Sequence, residues 1–307
     1  MKDNQQVNAT SNKAVEVTES HGKRFILASA TSRFCQHKVP SWLSYWVTFF
    51  AFPLNMMVLS MGMTFYILVG SFNVYLKTVL WAYLAWILLL DRNRCHGVGY
   101  DTQASFPFQQ LRHWVRSNWM YGISTAYYPI TLHKTAKLPA YHDDTTKRPC
   151  QYVFACHPHG VIGVGTMSVF GTAEVGFATL FPGIDTYLVA LGAIFNIPFF
   201  RDWCLLAGIF SADKTSFEHI FTTKHASAAI NLGGAAEATM PFECNPQTGH
   251  PVMKFLLQDR KGFCKIALQY GVSLVPVLAL EERLLFDLIR LPPALYTSCK
   301  SFCKSTS

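Results

Sequence analysis

The chain has 307 residues, of which half are hydrophobic and 14% charged, and its formal net charge is +8. That length holds one large domain, or a medium domain with an appended membrane segment, and the composition falls between those of soluble enzymes and polytopic transporters. Its basic residues are scattered, with no run of five or more and no alternation with aromatics, which excludes a nucleic-acid platform and favours an anionic membrane surface or a phosphate-bearing ligand.

Residues 1–40 are rich in Ser, Thr, Asn and Lys without apolar periodicity, and are expected to be a largely disordered cytosolic tail. They do not have the charge and length pattern of a secretory signal. The sequon Asn8-Ala9-Thr10 is expected to go unused if this end is cytosolic. From residue 39 to 76 there is no charged residue or histidine, and after Lys77 a second uncharged stretch runs to residue 90. A helix needs roughly 20 apolar residues to cross the bilayer core. Residues 41–91 are therefore expected to form a transmembrane or re-entrant helical hairpin, with spans near 43–69 and 72–90 and a turn at Gly70, Ser71 and Asn73. Basic residues lie before the first span (Lys23, Arg24, Arg33, Lys38) and after the second (Arg92, Arg94), so both ends are expected to face the cytosol.

Residues 92–307 read as an α/β domain with an oily surface. Four short apolar runs, 151–156, 186–191, 228–232 and 272–280, read as buried strands, with helical patterns near 162–170, 203–210, 216–225 and 262–270. This alternation implies a mostly parallel sheet with its active groups at the carboxyl ends of the strands. The nine cysteines are widely spaced and never form CxxC, which suits reduced thiols better than a disulfide framework or a zinc ribbon.

The sequence CHPHG at 156–160 closes the first strand and leads into the glycine turn GVIGVG. Pro158 fixes the backbone between His157 and His159, while Gly160 and the later glycines admit close approach of a substrate and leave amides free for an oxyanion or phosphate. Two histidines this close serve as bases, structural groups or metal ligands, and the pattern alone leaves all three open. The glycine order GxxGxG is not that of a dinucleotide fingerprint, and no Walker sequence is present. No second ligand pair stands at zinc spacing. NLGGAAEA at 231–238 repeats the strand-end arrangement, with Gly233 and Gly234 followed by Glu237 in apolar company. In a parallel sheet this loop can lie beside HPHG, where Glu237 would orient a histidine or bind a hydroxyl; the alternative is an acid complementing a helix start. Arg201 and Lys214, around a short apolar helix, and Arg260 and Lys261 in DRKGFCKIAL are candidate grips for an anionic substrate, or else a solvated basic surface.

Taken in order, the hydrophobic hairpin, YYPI at 127–130, YVFACHPHG, the segment from FRDW to ADKTS, NLGGAAEA and RKGFCKIALQYGVSLVPV resemble the diacylglycerol acyltransferase type 2 family, which includes monoacylglycerol and wax-alcohol acyltransferases. The resemblance runs over about residues 41–277. It implies an α/β, mostly parallel acyltransferase-like domain in the endoplasmic reticulum membrane, with a link to lipid droplets. It also implies transfer of a fatty acyl group from acyl-CoA, as co-substrate, to diacylglycerol or a related alcohol, with no metal or other cofactor. The implied partners are acyl-CoA, the acceptor alcohol and membrane lipid, with no nucleic acid; a homo-oligomer is left open. His159 is the expected base, ahead of His157, with Glu237 as helper. Pro158, Gly160, Arg201, Lys214, Gly233, Gly234, Arg260 and Lys261 are the expected substrate-binding residues. More distantly, the layout looks like that of glycerolipid acyltransferases in which a His is followed, after four residues, by an Asp. Here Val164 stands at that place. The family follows VPV with FGEN and several dozen further residues, whereas this chain reads LALEERLLFDLIRLPPALYTSCKSFCKSTS, so a C-terminally shortened domain is expected, with Glu282 standing for the family's acid.

Overall fold

The computed structural model describes residues 28–32, 39–51, 53–90, 106–142, 149–160, 162–238, 247, 252, 256–257 and 260–286. Of the tail expected over residues 1–40, residues 1–27 and 33–38 lie outside the described residues, as does the stretch 287–307. Within the expected tail, Ala28–Thr31 (β1) is a strand, antiparallel to Thr131–Lys134 (β2) with Ala28 opposite Lys134. Burial of Ala30 and a hydrogen bond from the Ser32 hydroxyl to the Gly122 carbonyl at 3.0 Å hold it in place.

The uncharged stretch folds into three helices, Ser41–Ala51, Pro53–Phe65 and Val74–Ala85, the last two extended by π-turns at Tyr66–Gly70 and Trp86–Leu90. The first expected span is therefore broken. Pro53 has no N–H to continue the preceding helix, and Ser41–Phe50 meets Asn55–Gly70 at 57°. No single described helix is long and apolar enough to cross a membrane, although that bent pair passes by length and composition together. The expected turn is present, and the Asn73 side chain caps the third helix by accepting from the Leu76 amide at 3.1 Å.

The core is a five-stranded parallel sheet of Tyr152–His157 (β3), Thr186–Ala190 (β4), Ile209–Ser211 (β5), Ser227–Asn231 (β6) and Ser273–Leu278 (β7), in the order β5-β4-β6-β3-β7. β3 is buried at every position, as an interior parallel strand covered on both faces should be. Phe154 packs against Phe170 and Phe177 with ring centroids 5.2 and 5.5 Å apart. β7, which stands at the edge of the sheet among the described strands, carries Pro276, a residue with no N–H that an edge strand tolerates. The expected helix over residues 203–210 is corrected to Phe200–Ala207 followed by β5. Gly208, at φ 77, ends the helix in the left-handed conformation and turns the chain into the sheet.

The third hairpin helix is fastened to the sheet unit. Tyr83 donates to the Asp202 carboxylate and accepts from the Phe199 amide at 2.9 Å, and its ring stacks on Phe199 at 5.0 Å. Phe199 holds φ 62 there, a conformation disfavoured for a residue with a side chain.

Candidate active site

Register decides which loops meet. Cys156 of β3 lies opposite Asn231 of β6 and Val277 of β7, so the loops leaving the carboxyl ends of these three adjacent strands converge. The loop after β3 is HPHG; after β6, Leu232 and Gly233 lead into the short helix Gly234–Ala238, which carries Glu237 in its first turn, as the helix-start alternative has it; and the segment after β7 leads to Glu282. This is the end of a parallel sheet where ligand sites gather.

His157 is the last residue of β3, while His159 stands in the loop; both are buried. The alternation rule that puts His157 and His159 on one face therefore does not govern them, because the strand has ended. Glu237 is fully buried. Its Oε1 accepts from the His159 amide and its Oε2 from the Leu256 amide, both at 3.1 Å, and Oε2 lies 3.7 Å from His157 Nδ1. Glu237 thus sits beside HPHG, as expected, but engages the backbone of His159 and faces the ring of His157. Gly233 makes room for it: a Cβ there would stand 2.2 Å from the Glu237 side chain.

The His159 ring is bracketed by carbonyls, with Nδ1 2.7 Å from the Gly160 oxygen and Nε2 2.8 Å from the Gly234 oxygen. Carbonyls only accept, so a neutral ring donates to one of them and a doubly protonated ring to both. Gly234 reaches this position at φ 58. Pro158 and Gly160 are buried in the same loop.

Glu282, given no role by the residue patterns, closes the other side of the loop. Its Oε1 accepts from the Gly160 amide at 3.3 Å, and burial pushes its carboxyl up to about 7 against the opposing pull of the backbone amides. Of the amides that the glycine turn was expected to offer an oxyanion, that of Gly160 is engaged by Glu282. Asn231 also escaped the sequence reading. Its Oδ1 accepts from the Thr166 hydroxyl at 2.7 Å, and its Nδ2 would lie 2.6 Å from a Cβ on Gly163, a glycine at φ 67. Cys156 is buried and its thiol pushed up to about 12, which keeps it out of the thiolate form that attacks or binds metal.

The basic residues are dispersed. The Arg260 guanidinium is exposed and comes within 3.7 Å of where a Gly234 Cβ would stand, beside the His159 contact. Lys261 is exposed next to it, at the start of Gly262–Tyr270. Lys214 is exposed after β5, three strand spacings from β3, or roughly 14 Å. Arg201 is almost completely buried beneath the hairpin, its guanidinium carbon 5.9 Å from the centroid of the Trp86 ring.

Residues 78–305 match the family model described as diacylglycerol acyltransferase. Diacylglycerol O-acyltransferase 2A of Umbelopsis ramanniana is 35% identical over 234 residues, covering 76% of this chain and 59% of its own length. Human 2-acylglycerol O-acyltransferase 3 is 33% identical over 244 residues, 76% of this chain and 62% of its own. Human acyl-CoA wax alcohol acyltransferase 2 is 34% identical over 182 residues, 59% of this chain and 49% of its own. The chain thus spans about half to three-fifths of the length of these relatives. No solved structure matches it.

Proposed function

The chain belongs to the diacylglycerol acyltransferase family, and from that premise we propose that it moves a fatty acyl group from acyl-CoA to the free hydroxyl of diacylglycerol, forming triacylglycerol. The observation that carries this reading is the HPHG loop at the carboxyl end of β3, buried against Glu237 and inside the family match. In it, the His159 ring turns one nitrogen away from its carbonyl neighbour and removes the hydroxyl proton as the oxygen attacks the thioester carbonyl. The C–O bond forms, the C–S bond breaks, and the proton passes to the departing thiolate of coenzyme A. Once protonated, the His159 ring has a carbonyl acceptor on each side, at 2.7 and 2.8 Å. General-base action of this kind is worth roughly 10² to 10⁴ in rate. His157, with Nδ1 toward Glu237, is the second candidate for the base. Acyl-CoA is co-substrate, and no metal takes part.

Arg260 and Lys261, exposed beside Gly234, are the basic groups best disposed to meet a phosphate near the histidines. Lys214 suits a more distant part of an extended ligand. Arg201 is assigned to fastening the hairpin. Residues 41–91 are read as a membrane anchor, with both ends cytosolic, in the endoplasmic reticulum or at lipid droplets. The reading is supported by aromatic and aliphatic side chains left in the open, among them Trp42 and Phe65, each about two-thirds exposed, and Tyr75 at 85%. Residues 92–307 are then the acyltransferase domain.

Relatives named for 2-acylglycerol and wax alcohol stand at nearly the same identity, which keeps a monoacylglycerol or a long-chain alcohol as the second reading of the acceptor. Expression of the full chain in yeast unable to make triacylglycerol tests the assignment. Triacylglycerol is expected to appear with the wild type and to be lost with His159→Ala. Neutral lipid that persists in the variant would overturn the base, accumulation of wax ester alone the acceptor, and absence of any acyl product the reaction.

A further inference from the structure

Two carboxylates hold consecutive amides of one loop. The His159 amide donates to Glu237 and the Gly160 amide to Glu282, at 3.1 and 3.3 Å. The two acids come from the loops after β6 and β7, the strands on either side of β3. Glu282 is almost as deeply buried as its counterpart. Its carboxylate also lies against the amides of Gly165 and Val164, its Oε2 without a formal hydrogen bond. Its own carbonyl closes on Gly160, leaving 2.9 Å to where a Cβ would stand. The preceding residue, Glu281, takes φ 61 to deliver it, a conformation disfavoured for a residue with a side chain. A buried acid, reached through a strained residue and set against a glycine turn 122 positions away, is costly to maintain for surface solubility or helix capping.

We propose that Glu282 is a positioning residue for acyl transfer: its carboxylate is set against the amides of Gly160, Val164 and Gly165 and, opposite Glu237, fixes the HPHG loop so that the histidine meets the acceptor hydroxyl. The inference rests on the acyl-transfer reading above. It assigns these amides to the protein's own anion, so the oxyanion of the reaction is stabilised elsewhere. Hydrogen bonds to an ionised acceptor are roughly twice as strong as neutral ones. Replacing the carboxylate by an amide keeps the shape but turns one acceptor into a donor aimed at other donors.

The test uses the full chain in microsomes with acyl-CoA and diacylglycerol. Glu282→Gln is expected to lower kcat about tenfold while KM for acyl-CoA stays within about twofold, the pattern of a group needed only on the way to the transition state. Gly165→Ala, whose Cβ would meet Glu282 Oε2 at 2.9 Å, is expected to lose a similar factor. The double variant should lose little more than either alone, since both act through one contact. Unchanged kcat in Glu282→Gln, a loss carried by KM, or fully additive losses overturn the proposal. A raised kcat also overturns it, by showing that the carboxylate competes with the oxyanion for those amides. Hydrogen exchange gives a second reading independent of turnover. The amides of Gly160, Val164 and Gly165 should exchange faster in Glu282→Gln while those of β4 and β6 do not change; unaltered exchange overturns the contact itself. A wild type without acyl transfer, but with this exchange pattern, would instead overturn the reaction and leave the contact standing.

Discussion

The sheet and the hairpin handle apolar surface in opposite ways. In β3 and β6, Val153, Ala228 and Ala229 are wholly inaccessible, whereas in the hairpin Phe72 is fully exposed and Tyr75 nearly so. The inner strands β3 and β6 are covered by the chain itself, whereas the edge strand β7 leaves Leu274 and Leu278 exposed. The hairpin is locally well formed, with a capped third helix and Tyr83 fastened to Asp202 and Phe199, yet it leaves the stabilisation available from its outer face unrealised in water. The same residue types therefore mean different things in the two regions: in one they are the source of stability, in the other an affinity for an apolar phase.

Three measurements sharpen or break that contrast. Phe154→Ala, which empties a site against Phe170 and Phe177, should cost about 3–5 kcal/mol in chemical denaturation. A loss below about 1 kcal/mol would mean that the sheet core is not the main source of stability. Next comes the buried acid. Burial, which disfavours the charged form, pushes the Glu282 carboxyl up from its ordinary 4.5 to about 7. An acid whose pKa rises on folding contributes stability that is fully present below its ordinary value and lost as pH climbs through the raised one. The wild type should therefore lose roughly 3 kcal/mol relative to Glu282→Gln between about pH 4 and 8. Parallel stability profiles for the two would rule out that titration. The smallest effect belongs to the hairpin: Phe72→Ser should leave folding stability within about 0.5 kcal/mol, because that ring is fully exposed among the described residues. The same variant should bind lipid vesicles more weakly. Unchanged vesicle binding would argue that this ring does not enter lipid.

Legibility in the sequence follows the same physics. The strands of the sheet centre were readable to within a residue or two, because an interior parallel strand must be apolar without interruption. Gly262–Tyr270 was readable in full for the complementary reason, a helical period closed by Gly271 at φ 64. β5 was not, since three apolar residues directly after a helix look like its continuation until Gly208 is seen in the left-handed region. β1 and β2 are four residues each, too short for alternation to stand out in polar surroundings. At the site, the two histidines and Glu237 were visible as unusual residues in strand-end loops, and the structure brings them together. Arg201 looked the same in sequence as any anion-binding arginine; only the tertiary fold puts it beneath Trp86. Glu282 was named from the family resemblance alone; its contact with the HPHG loop was not legible, because Gly160 lies 122 residues away.

That distance has a consequence for when the loop acquires its form. His159 and Gly160 are pinned from residues 78 and 122 positions later, so no fragment ending at β3 can hold the HPHG loop in the shape described. A ribosome adds roughly 5–20 residues per second, which puts roughly 6 to 24 seconds between the emergence of Gly160 and that of Glu282. During that interval the apolar hairpin has already left the ribosome. The hairpin is therefore complete before the histidine loop can be set, because the last residue that pins the loop arrives only at position 282.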